Sequence, residues 1–532
     1  MEVLSRDESA AHRGVHEVVL RTETPAENPY LDVDVEVEFE RPDGSTVTVD
    51  GFYDGDGTYR ARAYCDTLGE WRWESDTADS DLVASGSFTV SPSSLPGKLR
   101  QHPDDPRQLR YDDGEWFLHV GDTGYRYPAD SEPEWQEYVD GAVRTGATKI
   151  RTWFARSRYH VEALFADESR ESGELNPDYW QEIDRRYRYA LEEYPHLQFQ
   201  VIPYAEDGEA LRAYHDDPMV RFVGEHVQAR LAAFPTVHWC VLNDAELVDG
   251  EVDPEIVESG AKVQKGLSKS VVEALGQDFH EREPWGTLIT SHQQRETGYD
   301  FVDAEWSDLV TLQDLDQAGG ELVREYRERA ADPVIFDEDR YERYRGPDHP
   351  RYFFRRLLWA TLLSGGHPTY GGNRTFEPYD GDEQGVRDYD DSGLVGMDDV
   401  VGIHRFFEET GLSLVGFTPD TGVVADEPDR VVCSHDDRVY LAYFANPAGD
   451  DPETATVRTE PQTSVLALPA VEFDVRWYDP KTGEWLDGER IDGERIDGER
   501  IDGGRQEFTT PGGEDWLLVL ERRSVPSGGQ SR

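Results

Sequence analysis

The chain has 532 residues and carries 53 Lys+Arg against 111 Asp+Glu, a formal charge of −58 at pH 7. At roughly 150 residues per domain that length predicts about three or four domains, although one α/β barrel can absorb about 250 residues by itself. So acidic a surface repels phosphate backbones and excludes direct nucleic-acid binding, while a 37% hydrophobic fraction with 13 Trp, 26 Tyr and 21 Phe excludes wholesale disorder.

Lysine occurs only at Lys98, Lys149, Lys262, Lys265, Lys269 and Lys481, so the basic complement is almost all arginine. The balance reads as adaptation to a high-salt cytoplasm, where the Debye length falls to about 3 Å and like surface charges repel weakly. Most of the acids are then solvating surface. Met1 to Glu8 hold no apolar signal core, and no apolar run is long enough to span a bilayer, so the expectation is a soluble cytoplasmic protein without a membrane partner. Cys65, Cys240 and Cys433 are too scattered for a disulfide framework or a CxxC metal site and read as buried free thiols.

Residues 1–14 are expected to be a disordered lead. From about Val15 the chain reads as strands: Leu31 to Phe39 alternates apolar and acidic residues with period two, and Pro42-Asp43-Gly44, Asp54 to Gly57 and Thr67 to Glu70 are turns. Residues 15–97 are therefore a β-sandwich that leaves through Ser91 to Gly97.

Over residues 98–412 short β-rich runs alternate with helical patterns. The runs are Trp116–Val120, Thr148–Phe154, Phe199–Pro203, Val237–Leu242, Thr287–Thr290, Leu309–Leu312, Val334–Phe336 and Pro368–Tyr370. Their mean repeat of about 36 residues is close to the roughly 30 of a βαβ unit, and eight units predict a central (β/α)8 TIM barrel. A helix begins at Pro218 and places His226, Val227 and Leu231 on one stripe, so His226 reads as core rather than ligand. Another follows Asp348 and stops at Gly365-Gly366, and a last one spans Met397 to Glu409.

Residues 413–523 return to β signals, including Val439 to Phe444 and Trp516 to Leu520, and predict a second β-sandwich before a disordered tail at 524–532. The fold class is thus multidomain, a TIM barrel flanked by two β-sandwich domains. Within the last sandwich Leu486 to Arg490 recurs three times at a five-residue period, which reads as a hairpin loop lengthened at Asp-Gly turns.

Reacting groups in such a barrel stand at the C-terminal ends of the strands, so the polar residues that close each apolar run are the candidates. In strand order they are Asp122; Arg151 and Trp153; Tyr204; Asn243, Asp244 and Glu246; His292; Gln313; Asp337 and Glu338; and Tyr370. Carboxylates after runs four and seven face each other across a barrel mouth, the arrangement that glycosidic cleavage needs: one acid to protonate the leaving oxygen, one carboxylate to attack the anomeric carbon. Asn243 suits a sugar 2-hydroxyl, Asp122, Arg151, Tyr204, Gln313, Tyr370 and His292 suit other hydroxyls, and Trp153 offers a stacking face. Asp337 reads as a supporting residue. Away from such a mouth Glu338 would be only a strand-end partner for Arg340 or Arg151. The chemistry requires no metal and no cofactor.

The motifs Asn28-Pro29-Tyr30, Gly51-Phe52-Tyr53-Asp54-Gly55, Gly69-Glu70-Trp71 and Gly86-Ser87-Phe88 resemble the immunoglobulin-like domain that precedes the barrel in bacterial and archaeal glycoside hydrolases. The barrel, through Gly121-Asp122-Thr123, Trp239 to Asn243, Thr290-Ser291-His292 and Pro333 to Glu338, resembles their clan-A, apiosidase-like branch. Trp477 to Gly483 and Pro511 to Trp516 are similar to their C-terminal β-sandwich, sometimes labelled collagen-binding.

The resemblance implies a carbohydrate substrate, retention of configuration, an Asn-Glu pair bearing the acid/base after strand four, and a nucleophilic Glu after strand seven. Glu338 fits the second role. For the first, Asp244 stands where Glu is expected and Glu246 stands two residues on; either can face the cleft. The departure at Asp244 also keeps open a second class, a non-catalytic carbohydrate-binding protein derived from a glycosidase barrel.

Overall fold

The computed structural model describes residues 2–5, 8–23, 26–77, 82–125, 127–128, 134–153, 164–166, 174–204, 218–245, 247–248, 267–294, 298–314, 318–342, 347–371, 395–424, 429–446, 457–486, 490–491, 494–495 and 500–523. The architecture is multidomain.

The N-terminal part holds β1 (Glu2–Ser5), β2 (Ser9–Ala11), β3 (Val15–Arg21), β4 (Val35–Glu40), β5 (Thr46–Asp50), β6 (Phe52–Tyr53), β7 (Thr58–Tyr64), β8 (Gly69–Thr77) and β9 (Ser85–Ser91). They form two sheets, ordered β1-β3-β7-β6 and β2-β9-β8-β4-β5. The period-two reading holds along β4, where Val35, Val37 and Phe39 are buried and Glu36 and Glu38 are exposed. The first residues do not trail free, as the sequence led us to expect: β1 pairs with β3 and β2 with β9. Edge pairing is made by backbone groups, so a polar segment with no apolar period can still join a sheet.

Next comes an antiparallel hairpin, β10 (Leu99–His102) and β11 (Asp105–Tyr111). Its Leu99, Leu109 and Tyr111 pack with Phe117, Leu288, Leu309 and Ile335, an apolar plug under the N-terminal ends of the strands that follow.

Those strands are β12 (Gly121–Thr123), β13 (Lys149–Trp153), β14 (Gln198–Ile202), β15 (Val237–Cys240), the short parallel pair β16 (Leu247–Val248) and β17 (Leu267–Ser268), then β18 (Ile289–Thr290), β19 (Val310–Gln313), β20 (Val334–Glu338) and β21 (His367–Pro368). One parallel sheet runs β12-β13-β14-β15-β18 and another β19-β20-β21, each in chain order. Hydrogen bonds join the two at both edges: the Tyr370 N–H donates to Gly121 O at 2.8 Å, and Asp308 N–H and Thr290 Oγ1 link the 289–290 and 308–309 segments, each at 2.8 Å. The first strand begins at Gly121 rather than Trp116: residues 117–120 lie outside the ladder, and the Val120 N–H donates to the Thr148 side chain at 2.8 Å.

Between the strands run α1 (Glu134–Arg144), α2 (Pro177–Glu193), α3 (Pro218–Leu231), α4 (Lys269–Arg282), α5 (Glu321–Arg329), α6 (Pro350–Leu363) and α7 (Val400–Thr410). Gly365 and Gly411 follow α6 and α7 at φ 79° and 64°, left-handed positions that release the chain from each helix. His226 of α3 is buried among the Phe52, Trp180 and Tyr30 rings, as core. Beside it a buried ion network fastens the N-terminal sheets to α2 and α3: Arg62 of β7 donates to Asp184 at 2.9 Å and to Glu17 at 2.8 Å, and Arg230 donates to Asp184 at 3.1 Å and to Asp54.

The C-terminal part comprises β22 (Thr418–Pro419), β23 (Arg430–His435), β24 (Val439–Phe444), β25 (Thr463–Asp479), β26 (Glu484–Trp485), β27 (Arg490–Ile491), β28 (Glu494–Arg495), β29 (Arg500–Thr509) and β30 (Trp516–Arg522). Its main sheet runs β22-β23-β24-β30-β25-β26, with β29 on β25. Tyr440, Phe444, Phe473, Trp477, Leu518 and Leu520 form its own core, and Arg355 of α6 ties it to the central part through Asp515 at 2.7 Å. In the five-residue repeat, β27 and β28 pair antiparallel, Arg490 opposite Arg495. The tail 524–532 lies outside the described residues. All three cysteines are buried free thiols. Among the described residues no helix is long and apolar enough to cross a membrane.

Candidate active site

Parity along the strands decides which strand-end residues meet. In β13 successive side chains alternate faces, so Lys149, Arg151 and Trp153 share one face while Ile150 packs into the main core behind it. In β20 the alternation is broken. Leu312 of β19 pairs with Phe336 but the next residue, Gln313, pairs with Glu338, so Asp337 is an extra residue in the ladder. Such a bulge re-aims side chains, and here it lets two consecutive acids reach the same interior. Asp337 meets Lys149, and Glu338 meets Arg151.

Glu338 is the focus of a dense cluster. Its Oε2 accepts from Arg151 Nη2 and, at 3.3 Å, from the Tyr125 hydroxyl. Arg151 Nη2 also donates to the Tyr341 hydroxyl at 3.1 Å. Burial pushes the Glu338 carboxyl up, but the Arg151 guanidinium outweighs it and leaves the group below its ordinary range, hence ionised. Asp337 is held well below the usual carboxylate range, because Lys149 and then Arg151 overcome the upward push of burial.

Opposite lies Asp244, at the end of the fourth strand. Its side chain is 50% exposed, whereas that of His292 beside it is fully buried. Asp244 adopts φ 52°, a left-handed conformation that Asp tolerates better than most residues. Burial, then the charge of Arg151, brings the His292 ring down to about 3, so it is neutral at ordinary pH. Arg151 Nη1 lies 3.1 Å from His292 Nε2 and can only donate. On the other side of the ring, His292 Nδ1 lies 3.5 Å from the Asp244 backbone N and 3.6 Å from Asp244 Oδ1.

Asp244, His292 and Glu338 each offer an atom within 4.8 Å of the other two, a spacing that a cation could bridge. The donor set does not suit one. A metal on His292 Nδ1 would drive the ring proton to Nε2, against the guanidinium, and would stand beside that fixed positive charge.

Of the remaining expected residues, Asn243 and Gln313 are buried with side-chain oxygens that find no partner among the described residues, and Gln313 lies opposite Glu338 in the ladder. Three others are turned into the helix layer instead. Asp122 pairs in register with the outward Ile150 and accepts from the Tyr138 hydroxyl of α1 at 3.0 Å. The Tyr204 hydroxyl lies against Gly224 of α3, and that of Tyr370 donates to Glu342 at 2.5 Å. Trp153 stands at the site, but one ring face is covered by Tyr125, 3.8 Å away and nearly parallel. Glu246 lies outside the described residues. The sequence reading missed Tyr125, Tyr341 and Lys149; Tyr125 and Tyr341 stand two and three residues past Thr123 and Glu338, still within the loops at strand ends.

Residues 103–409 match the apiosidase-like catalytic domain, and residues 14–78 match a domain of unknown function, DUF5060. The chain belongs to the apiosidase-like family. This apiosidase-like protein is accordingly a glycosidase, and its N-terminal motifs carry the DUF5060 relationship that their resemblance implied. The crystal structure of a candidate glycoside hydrolase from Bacteroides vulgatus is similar at 17% identity and TM-score 0.72, covering 97% of this chain and 100% of that one. A family 5 glycoside hydrolase from the same organism is 15% identical at TM-score 0.57, covering 81% of this chain and 95% of its own. A further glycoside hydrolase is 16% identical at TM-score 0.56, over 81% and 99%. At these identities the likeness carries the fold alone. Among curated proteins no sequence matches.

Proposed function

We propose that this apiosidase-like protein is a retaining glycoside hydrolase whose residues 98–412 form a (β/α)8 barrel between two β-sandwich domains. The eight parallel strands in chain order, hydrogen-bonded at both edges of the two sheets, support the barrel. Glu338 is the nucleophile and Asp244 the acid/base. The observation that carries this reading is a separation: carboxylate oxygens of Asp244 and Glu338 lie within 4.8 Å. Retaining enzymes hold their two carboxyls about 5–5.5 Å apart, whereas inverting enzymes need about 6.5–9.5 Å to admit a water.

In the first step Asp244, the half-exposed member, protonates the departing glycosidic oxygen while ionised Glu338 attacks the anomeric carbon. Arg151 and Tyr125 hold the attacking carboxylate in place and later stabilise it as a leaving group. Asp244, now a carboxylate, then removes a proton from the water that releases the sugar. Neutral His292, with Nδ1 3.6 Å from Asp244 Oδ1, stands beside that carboxylate and bounds its position. Asn243 and Gln313 supply the buried oxygens for sugar hydroxyls, a need their unmet hydrogen-bonding capacity makes physical.

The test uses a panel of aryl glycosides. Glu338→Gln is expected to lose at least about a thousandfold in kcat. Asp244→Asn should keep turnover of activated leaving groups and regain rate with azide, with the first-formed product in the substrate's anomeric configuration. Undiminished turnover in Glu338→Gln, or an inverted first product, refutes the assignment; binding of a glycan without cleavage by the wild type would favour the binding-protein reading.

A further inference from the structure

Barrel interiors are ordinarily filled by branched aliphatic side chains. This one holds an ion pair. Lys149 and Asp337 are both fully buried and in direct contact, and taking two charges out of water is costly in general, so that a well-packed apolar pair is often as stable. Packing alone therefore does not account for them.

The geometry does. Asp337 Oδ1 accepts from Lys149 Nζ and from Thr369 Oγ1, the latter at 2.8 Å. Asp337 Oδ2 has no hydrogen-bond partner among the described residues and lies 3.9 Å from Arg151 Nη1. Arg151 thus stands between two carboxylates on neighbouring positions of one bulged strand, and it is committed to Glu338. The other titratable groups facing the pair are uncharged: His238 is brought down to about 3 by burial, His119 is lowered well below its ordinary value for the same reason, and burial keeps the Cys240 thiol protonated. With neutral His292, that leaves four charges alternating in sign across two strands, Lys149, Asp337, Arg151 and Glu338.

We propose that Lys149 is a positioning residue for the reaction: by neutralising Asp337 it leaves the Arg151 guanidinium free to hold Glu338. This rests on the reading of Glu338 as nucleophile. Without the Lys149 charge, Asp337 becomes a bare buried anion beside Arg151 and competes for it. Glu338 then loses both its aim and part of the stabilisation of its ionised form.

Lys149→Met, measured on the same aryl glycosides, is expected to move the acidic limb of kcat/KM up by about one pH unit, the usual effect of a lost neighbouring opposite charge. It should lower kcat at neutral pH at least about tenfold with KM within about twofold, since small misplacements of a reacting group weigh on kcat. Adding Asp337→Leu should bring the limb back toward wild type, because the competitor is gone. Thr369→Val, isosteric and free of the folding risk of a buried charge deletion, should move the limb in the same direction by about half a unit. Wild-type limbs in both Lys149→Met and Thr369→Val, with only thermal stability lowered, overturn the proposal. Retained turnover in Glu338→Gln would instead sink the underlying assignment, so the two failures are distinguishable.

Discussion

Asp184 joins two arginines that come from different parts of the chain, so replacing it with Asn asks how firmly the N-terminal sheets are fixed to the central part. Its carboxylate receives Arg62 Nη1 at 2.9 Å and Arg230 Nη1 at 3.1 Å, and both arginine side chains are essentially inaccessible, at 1% and 0% exposure. Burial pushes the Asp184 carboxyl up, and Arg62 followed by Arg230 more than reverses that, leaving it lowered. In Asp184→Asn one amide oxygen remains to face two buried cations. Breaking a buried pair by removing one partner costs about 3–5 kcal/mol, and at roughly 2 °C per kcal/mol the midpoint should fall by about 8 °C. The sign with pH follows from the lowered carboxyl: its contribution is complete above the unfolded value near about 3.9 and is lost as pH falls through the folded value, so acid should narrow the gap between variant and wild type. Thermal unfolding followed by near-UV circular dichroism, in about 0.1 M and about 2 M KCl, reads the effect. Salt screens exposed pairs and not buried ones. A variant within about 1 °C of wild type, or a deficit that vanishes in high salt, would refute the view that this network is what anchors the N-terminal sheets.

Two further outcomes are expected. Tyr125→Phe removes the hydroxyl that donates to Glu338 at 3.3 Å but keeps the ring stacked on Trp153. Losing a hydrogen bond to a charged acceptor, at the weak end near about 1.5 kcal/mol, should raise the acidic limb of kcat/KM by about one pH unit and lower kcat at neutral pH by up to about tenfold. An unmoved limb contradicts the placement of that hydroxyl. Gly276→Ala would bring a Cβ within 2.4 Å of the buried Trp306 indole, so overpacking should cost about 1–3 kcal/mol in a urea titration with activity per folded molecule unaltered.

The strands and helices of the central part were largely visible as changes of period, and the helix ends near Pro218, Asp348 and Gly365 as backbone chemistry. The strand-end rule also found Arg151, His292, Asp244 and Glu338, which the fold brings together. It could not separate residues by face. Asp122, Tyr204 and Tyr370 end strands as Arg151 does, yet each turns into the helix layer, because parity is set by register and a single extra residue inverts it. Nothing in Phe336-Asp337-Glu338 announces a bulge, and no local pattern tells that Lys149 meets Asp337, a contact between residues 188 apart. Tyr125 and Tyr341 were missed for a related reason: an aromatic residue in a loop carries no sign of where its hydroxyl ends.

The extra residue in β20 means that the proposed centre is specified by chain length as well as by side-chain identity. A pleated strand has only two faces, so in an unbulged version of this segment Asp337 and Glu338 would point apart and no exchange of amino acids at those positions would recover both. Anyone transplanting this centre to another scaffold, or tracing it in a distant sequence, should count residues between the ladder positions before comparing letters.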